Sequence, residues 1–413
     1  MESSLNKIKI GVVGLGQRGT TLLDTLLAID TFEIVAVCDC YQDRVDKAFE
    51  TITQKQTLRP KKYSNFEDFI KDEEMQATLI ASSWDAHVEM AIRSMEEGKI
   101  TALEVGGAHS VEECWALVDT YEKTKTPIMF LENCCYNNFE LLATHLARKN
   151  MFGEIVHCHG AYSHDLRKQI LGGNVNRHYR LKNYIERNCD NYPTHNLGPI
   201  ARLLNINRGN RMVKLVTMAS KARGVEAFSH TEGNPDKSLE GQKFNQGDIV
   251  KTLITCENGE LISLTLDTTL PKYYSREFTV RGTKGLANQE ANMIFLEEKH
   301  SSHEYWEPQK TIGKYLNNAD DYYGYLPYFW KNINDLQRSA GHGGMDYFML
   351  EEFAKAIQAG ADMPIDVYDA AAWMSITPLS AIAIQENRVV EIPDFTRGKW
   401  ASREPKDVIN FDE

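Results

Sequence analysis

Apolar positions over the first 135 residues switch between two periods. Lys7–Val13 is a short apolar run of strand type. Arg18–Ile29 then carries Leu22, Leu23, Leu26 and Leu27, the stripe of an amphipathic helix. Glu33–Cys38 is a second strand rich in β-branched residues, and a polar helix pattern follows near Gln42–Gln56. Ala77–Ala81 reads as a buried strand and Val88–Glu97 as a helix closed by Gly98. Ile100–Glu104 and Ile128–Glu132 are further strands, with the helix Val111–Lys125 between them. Strands separated by single helices need right-handed crossovers and a parallel sheet. The expectation is an α/β chain whose N-terminal part, residues 1–139, is doubly wound.

After a predicted helix at Glu140–Lys149 the rhythm changes. Glu154–Tyr162, Lys214–Ser220, Val250–Cys256, Leu261–Thr268 and Glu277–Arg281 read as strands without regular helices between them. Glu257-Asn258-Gly259-Glu260 and Gly282-Thr283-Lys284-Gly285 have the composition of hairpin turns. Residues 140–413 are therefore expected to form an α+β substrate domain on a mainly antiparallel open sheet. Two stretches, about Leu171–Asn210 and about His303–Trp330, show no clear period and read as long covers over a site. Met345–Ala359 and Asp369–Glu386 read as helices, which we expect to pack back on the first domain.

Composition narrows the class. Hydrophobic residues are 42% and charged residues 25% of the 413, ordinary for a folded globular protein. Lys plus Arg number 46 against 58 Asp plus Glu, for a net charge of −12. Phosphate binding along nucleic acid needs clustered Lys and Arg, so a nucleic-acid partner is not expected. No apolar stretch approaches the ~20 residues of a membrane span, so no membrane partner is expected either. Met1–Asn6 lacks the order of an export signal. The expected compartment is the cytoplasm, or the periplasm if a leader has been removed. The eight cysteines show no C-x-x-C spacing, so neither a disulfide framework nor a metal site is expected. A homo-oligomer is left open.

One motif carries specific chemistry. Gly14-Leu15-Gly16-Gln17-Arg18-Gly19 fits G-x-G-x-x-G, follows a predicted strand and opens a predicted helix. Asp39 ends the second strand, 20 residues beyond Gly19. Gly14 permits the tight turn, Gly16 lets the backbone approach a pyrophosphate, and Gly19 allows close helix–strand packing. Asp39 accepts from a ribose diol and would repel a 2′-phosphate, so the cofactor expected of this Rossmann unit is NAD rather than NADP. A doubly wound sheet binds its ligand at the carboxyl ends of its strands. Trp84-Asp85-Ala86-His87, Glu104-Val105 and Asn133 sit there, and each alone would serve equally as a capping or packing residue.

Three later segments are polar and aromatic where no periodicity requires it: Gly160–Arg167, Tyr192–Pro199 and Gly341–Asp346. Each alone is as easily a capped helix start as a site. With Gly282–Gly285 in a late turn, the chain resembles the Gfo/Idh/MocA oxidoreductase superfamily. Those segments, with Asn133–Tyr136, Ile206–Gly209, Ile365–Trp373 and Pro393–Gly398, resemble more closely glycoside hydrolase family 109, the NAD-dependent α-N-acetylgalactosaminidases. The resemblance implies that Gln17, Arg18, Asp39, Trp84, His87, Glu104, Val105 and Asn133 touch NAD. It implies that Tyr162, Arg180, Tyr192, His195 and Tyr274 line a sugar site. There are departures. Superfamily dehydrogenases usually carry Glu-Lys-Pro where this chain has Glu104-Val105-Gly106, a loss the glycosidase family shares. Family members usually have glycine after Tyr-Pro-Thr-His, where this chain has Asn196.

The implied reaction is a redox route to hydrolysis of a small glycoside. Oxidation at C3 of the sugar acidifies the C2 proton, the aglycone is eliminated from C1, water adds, and the hydride returns. His195, with Tyr192 three residues earlier in Tyr192-Pro193-Thr194-His195, is the expected acid–base pair, because histidine titrates near neutral pH. His342 is a candidate to assist departure of the leaving group. Tyr162 and Tyr274 read as substrate-positioning residues, and Arg180 as a partner for a sugar or acetamido oxygen. Cys134-Cys135 reads as packing. A net sugar dehydrogenase on the same fold and a non-catalytic NAD- or sugar-binding regulator are the competing readings.

Overall fold

The computed structural model describes residues 7–297, 299–300 and 307–411. The N-terminal Met1–Asn6 and the start of the aromatic stretch, 303–306, lie outside the described residues. The chain forms two compact units, each drawn from several segments. The first is drawn from Met1–Tyr136, Asn332–Ala371 and Asp407–Ile409, the second from Asn137–Lys331, Ala372–Lys406 and Asn410–Glu413.

In the first unit strands β1 (Ile8–Val13), β2 (Phe32–Cys38), β3 (Lys61–Tyr63), β4 (Ala77–Ile80), β5 (Ile100–Glu104) and β6 (Ile128–Leu131) form one parallel sheet in the order β3-β2-β1-β4-β5-β6. The order reverses between β1 and β4, which is where such a sheet opens its ligand crevice. Helices α1 (Gln17–Leu27), α2 (Gln42–Lys55), α3 (Phe66–Ile70), α4 (Trp84–Glu96) and α5 (Val111–Thr124) make the crossovers. β1, β2, β4 and β6 are near-continuous apolar runs because both faces of the sheet are covered. Leu22, Leu23 and Leu26 are buried, as the stripe in α1 predicts.

Two differences from the sequence reading matter here. α4 starts at Trp84, four residues before the apolar period becomes visible, so Trp84-Asp85-Ala86-His87 is the first helical turn rather than a loop. The short pair β3 and α3 was not predicted. Three and five residues are too few for a period, and α3 rests on its cap, with Asn65 Oδ1 accepting from Glu67 N at 2.8 Å and Asp68 N at 3.2 Å. The late helix Met345–Ala359 belongs to this unit. Phe353 stacks on Phe32 at 6.3 Å, and Ile365 O accepts from Phe130 N at 3.0 Å.

The second unit is built on β7 (Ile155–Ser163), β8 (Met212–Ala219), β9 (Ile249–Cys256), β10 (Leu261–Asp267), β11 (Thr279–Gly282), β12 (Gly285–Asn288), β13 (Met293–Leu296) and β14 (Val390–Glu391). Their order is β13-β12-β11-β7-β10-β9-β8-β14. The pairings are antiparallel except β7 with β10, which runs parallel from His157–Leu261 to Ser163–Asp267. Both predicted hairpin turns are present, joining β9 to β10 and β11 to β12. The stretch Leu171–Asn210 is not irregular as expected. It holds Gly173–Asn176, Arg180–Glu186 and Thr194–Leu203, the last buried at nine of its ten positions, which erases any amphipathic period. The later aromatic stretch holds short helices at Pro308–Tyr315, Asn318–Tyr325 and Tyr328–Lys331.

One further expectation is corrected. Val367–Glu386 forms a helical stretch of 20 residues that is long and apolar enough to cross a membrane, but 83% of its apolar window is buried inside the protein. It is apolar because it is core. Its two ionisable side chains near the start are tied down, Tyr368 donating to Glu122 Oε1 at 2.8 Å and Asp369 accepting from Asp366 N at 3.2 Å.

Candidate active site

In the first unit the fingerprint loop is shaped from both sides. Gly14 has φ +86°, and its amide donates to Cys38 O at 2.9 Å. A Cβ there would overlap the backbone of Ala81 and Ser82, and one on Gly19 would overlap Gly14 O. Above Gly16 the nearest atom to such a carbon is Arg44 Nη1 at 3.6 Å, so the backbone there is approachable. Asp39 is buried, and its carboxylate accepts from Leu15 N at 2.7 Å and Tyr41 N at 2.9 Å, with Arg44 Nη1 at 3.7 Å. The acid therefore also fastens the glycine loop to the end of β2.

Beyond β4, two polar side-chain atoms are buried. Ser82 Oγ and His87 Nδ1 have no hydrogen-bond partner among the described residues. His87 Nε2 lies 3.0 Å from Ser82 O, so Nε2 carries the proton and Nδ1 is left as an acceptor. Burial pushes the imidazole down to about 4, which keeps it neutral. These orphaned atoms and the open backbone at Gly16 fit a dinucleotide. Gly106 explains the altered triplet: a Cβ there would fall 2.5 Å from Trp84 Cδ1 and 3.2 Å from His87 Nδ1, so this position cannot take a proline while Trp84 is in place. Val105 is buried, Gln17 and Asp85 are exposed and Ala86 is half-buried; Asp85 Oδ1 lies 2.7 Å from His109 Nε2.

Arg18, the second residue of α1, is committed to carboxylates. Its Nε donates to Glu104 Oε1 at 2.9 Å, and Nη1 and Nη2 donate to Asp346 Oδ2 and Oδ1 at 2.6 and 2.9 Å. Asn133 Nδ2 donates to Asp346 Oδ1 at 2.7 Å, and His342 Nδ1 lies 2.8 Å from Asp346 Oδ2. Burial alone would raise the Asp346 carboxyl, but Arg18 and His342 outweigh it and hold it well below the usual carboxylate range. The structure thus places Arg18, Asn133 and His342 around one buried acid that sequence reasoning quoted without a role, with Glu104 bound to Arg18. His342 is half-exposed and has φ +42° between Gly341, Gly343 and Gly344, all of positive φ. A non-glycine residue held in that region is strained, and such residues collect at functional sites.

The second unit gathers the other predicted residues. Tyr162 is the penultimate residue of β7, with its ring 4.7 Å from that of Tyr192 and 5.5 Å from His195. Tyr192 and His195 meet edge-on at 4.9 Å. Arg180, buried on its short helix, lies 5.2 Å over the Tyr192 ring and donates to Gln169 Oε1 at 3.0 Å. Pro193 occupies the N-cap position of the helix Thr194–Leu203, its carbonyl accepting from Leu197 N at 2.9 Å. Thr194 is fully buried. Asn196, the departure from the usual glycine, is buried against β7, with Nδ2 3.4 Å from Gly160 O. The loop before Tyr192 is fixed by its backbone: Asp190 N donates to Ser380 Oγ and Thr377 Oγ1 donates to Asp190 O, both at 2.8 Å. The Asp190 carboxyl is fully buried, neither oxygen has a close hydrogen-bond partner among the described residues, and burial, opposed by the Tyr192 backbone amide, pushes it up to about 7.

Tyr274 is half-exposed, and its phenol oxygen accepts from Arg276 Nη1 at 3.0 Å. Arg276 in turn is bound to Glu140 through Nε at 2.7 Å and Nη2 at 2.6 Å, and Gln289 Nε2 donates to the same Glu140 Oε1 at 2.9 Å. Sequence reasoning missed both members of this buried pair, because a lone Glu in a helix and a lone Arg in a loop carry no local signal. It also assigned nothing to His164, whose ring stands edge-on to Tyr162 at 4.9 Å and to Tyr274 at 5.3 Å.

Known proteins match the chain in two consecutive stretches. Residues 8–131 match the oxidoreductase family with an NAD-binding Rossmann fold, and residues 136–402 match the C-terminal domain of glycosyl hydrolase 109. The chain is 36% identical over 422 residues to a protein of Tannerella forsythia named alpha-N-acetylgalactosaminidase, covering 96% of this chain and 88% of that one. It is 37% identical over 431 residues to a glycosyl hydrolase family 109 protein of Stenotrophomonas maltophilia, covering 98% and 92%. Among solved structures, levoglucosan dehydrogenase in complex with NADH and levoglucosan shares the fold, with TM-score 0.68, 18% identity, and coverage of 94% and 100%. An NAD-binding Rossmann unit followed by this C-terminal domain, together with full-length identity above 30%, settles the family: the chain belongs to glycosyl hydrolase family 109, a family of NAD-using glycosidases.

Proposed function

We propose that the protein hydrolyses α-linked N-acetylgalactosaminides through oxidation, elimination, hydration and reduction of the sugar, with the cofactor returned to its starting state. The observation that carries this reading is the cluster of Tyr162, Tyr192, His195 and Arg180 in the family-specific part of the chain. The name of the Tannerella forsythia relative supports the choice of sugar. When bound, NAD⁺ supplies reversible two-electron oxidation at C3.

The chain's own residues supply the rest. A C3 ketone stabilises the anion left at C2, so a modest base suffices to remove the C2 proton. Tyr192 and His195 provide a phenol and an imidazole in edge contact, and proton transfer at the C3 hydroxyl and at C2 falls to them. Arg180, held by Gln169 and lying over the Tyr192 ring, favours negative charge developing on an oxygen. Tyr162 and Tyr274 position the sugar, Arg276 holding the Tyr274 phenol. Gln17, Asp39, His87 and Val105 are the fingerprint-side contacts of the dinucleotide, while Arg18, Glu104 and Asn133 brace that wall through Asp346. His342, strained and half-exposed, is offered to the leaving group.

Turnover of a nitrophenyl α-N-acetylgalactosaminide in deuterated water tests the reading. The released sugar should carry deuterium at C2, and no NADH should accumulate. His195→Ala and Tyr192→Phe should each lower turnover by about 10²–10⁴-fold and leave NAD affinity unchanged. Stoichiometric NADH without release of nitrophenol would replace this reading with a sugar dehydrogenase.

A further inference from the structure

His164 is placed as carefully as any residue of the ring cluster, yet among the described residues its side chain makes no hydrogen bond that would explain it. Its amide donates to Asp267 O at 3.0 Å, at the end of the parallel β7–β10 pairing. The preceding residue, Ser163, exchanges two backbone hydrogen bonds with Ser275, of 3.1 and 2.8 Å. The imidazole is thus fixed to the strand that carries Tyr162 and to the loop that carries Tyr274. It stands edge-on between those two rings. Its Nε2 is buried and has no hydrogen-bond partner among the described residues. A buried polar atom without a partner costs free energy, so a side chain needed only to fill this space would be apolar.

We propose that His164 is a sugar-binding residue of this site, its Nε2 making a direct hydrogen bond to one ring hydroxyl of the glycoside. This rests on the glycosidase reading above. The chemistry selects a hydroxyl. Burial, Arg180 and His195 push the imidazole down to about 4, so it is neutral at physiological pH. A neutral imidazole nitrogen either accepts or donates, and a hydroxyl does both, whichever tautomer is present. A carboxylate or phosphate substituent would call for a charged partner, which His164 is not. The bond is directional and desolvated, so it discriminates between sugars that present and lack that hydroxyl.

The variant His164→Phe keeps a ring between the two tyrosines and deletes the nitrogen. With a nitrophenyl α-N-acetylgalactosaminide we expect KM to rise roughly 10–100-fold and kcat to change by less than about threefold, the pattern of lost binding that is equal in ground and transition states. Among monodeoxy analogues, one should be poor for the wild type by the same factor and cause no further loss in His164→Phe. NAD affinity should be unchanged. An unaltered KM, or undiminished discrimination by the variant against every deoxy sugar, overturns the proposal. A second readout follows the wild-type protein. In wild-type protein labelled with ¹³C-histidine, the His164 Cε1–H signal, identified by its loss in His164→Gln or by proximity to the tyrosine rings, should move on saturation with N-acetylgalactosamine in the presence of NAD⁺. A stationary signal while the sugar binds overturns this proposal alone. Absence of any sugar binding or glycoside turnover by the wild type removes the glycosidase reading and this proposal with it.

Discussion

At the scale of single residues, two acids do work that their surroundings define. Asp39 fastens the glycine loop through Leu15 N and Tyr41 N, in addition to the ribose contact proposed for it. Asp39→Ala should therefore weaken NAD binding by about 2–4 kcal/mol and lessen discrimination against NADP, read by calorimetry with both dinucleotides. Asp190 is the opposite case, a carboxyl that its site prefers protonated. Its folded value of about 7 stands above the ordinary 3.8. Between these values the unfolded chain has released a proton that the folded chain retains, so stability falls as pH rises from about 4 to about 7. About three pH units correspond to at most about 4 kcal/mol. Denaturant titrations at pH 5 and pH 8, which span about two of those units, should show a loss of up to about 3 kcal/mol in the wild type and a much flatter profile in Asp190→Asn.

At the scale of elements, Arg276 and Glu140 join the Tyr274 loop to the helix Asn138–Arg148 through a pair that is wholly buried. Removing one member leaves a buried charge, so Arg276→Met should cost about 3–5 kcal/mol by denaturant midpoint, with the slope unchanged. This pair also shows why part of the site was illegible. Tyr192-Pro193-Thr194-His195 announces itself because a proline and ring-bearing residues crowd one turn, and G-x-G-x-x-G does so because backbone strain admits little but glycine. Glu140 and Arg276 lie 136 residues apart, and nothing in either neighbourhood hints at the other. The same holds for α4. In its first turn the buried residues Trp84 and His87 follow no amphipathic period, so the sequence pattern starts the helix four residues late. The parallel sheet was readable because burial on both faces makes its strands continuous apolar runs. The second sheet was readable mainly from its turns, and its β7–β10 parallel pairing was not.

At the scale of the whole molecule, a dinucleotide that binds only the folded first unit must stabilise it. NAD⁺ at about a hundred times its dissociation constant should add about 2.7 kcal/mol to the unfolding free energy, and NADP at the same concentration distinctly less. Guanidinium titration followed by the fluorescence of tryptophans such as buried Trp84 would measure both. The Arg18–Asp346 clamp, whose partners lie 328 residues apart, also bears on how the protein is made. A ribosome adding roughly 5–20 residues per second needs on the order of 15–65 s to pass from one to the other. For that interval the nascent chain displays a complete glycine fingerprint whose arginine still lacks its main acid. Cofactor capture is thereby tied to completion of the chain's late helices, and a ribosome stalled before residue 346 should expose a nucleotide loop that binds NAD weakly and is cut readily by protease.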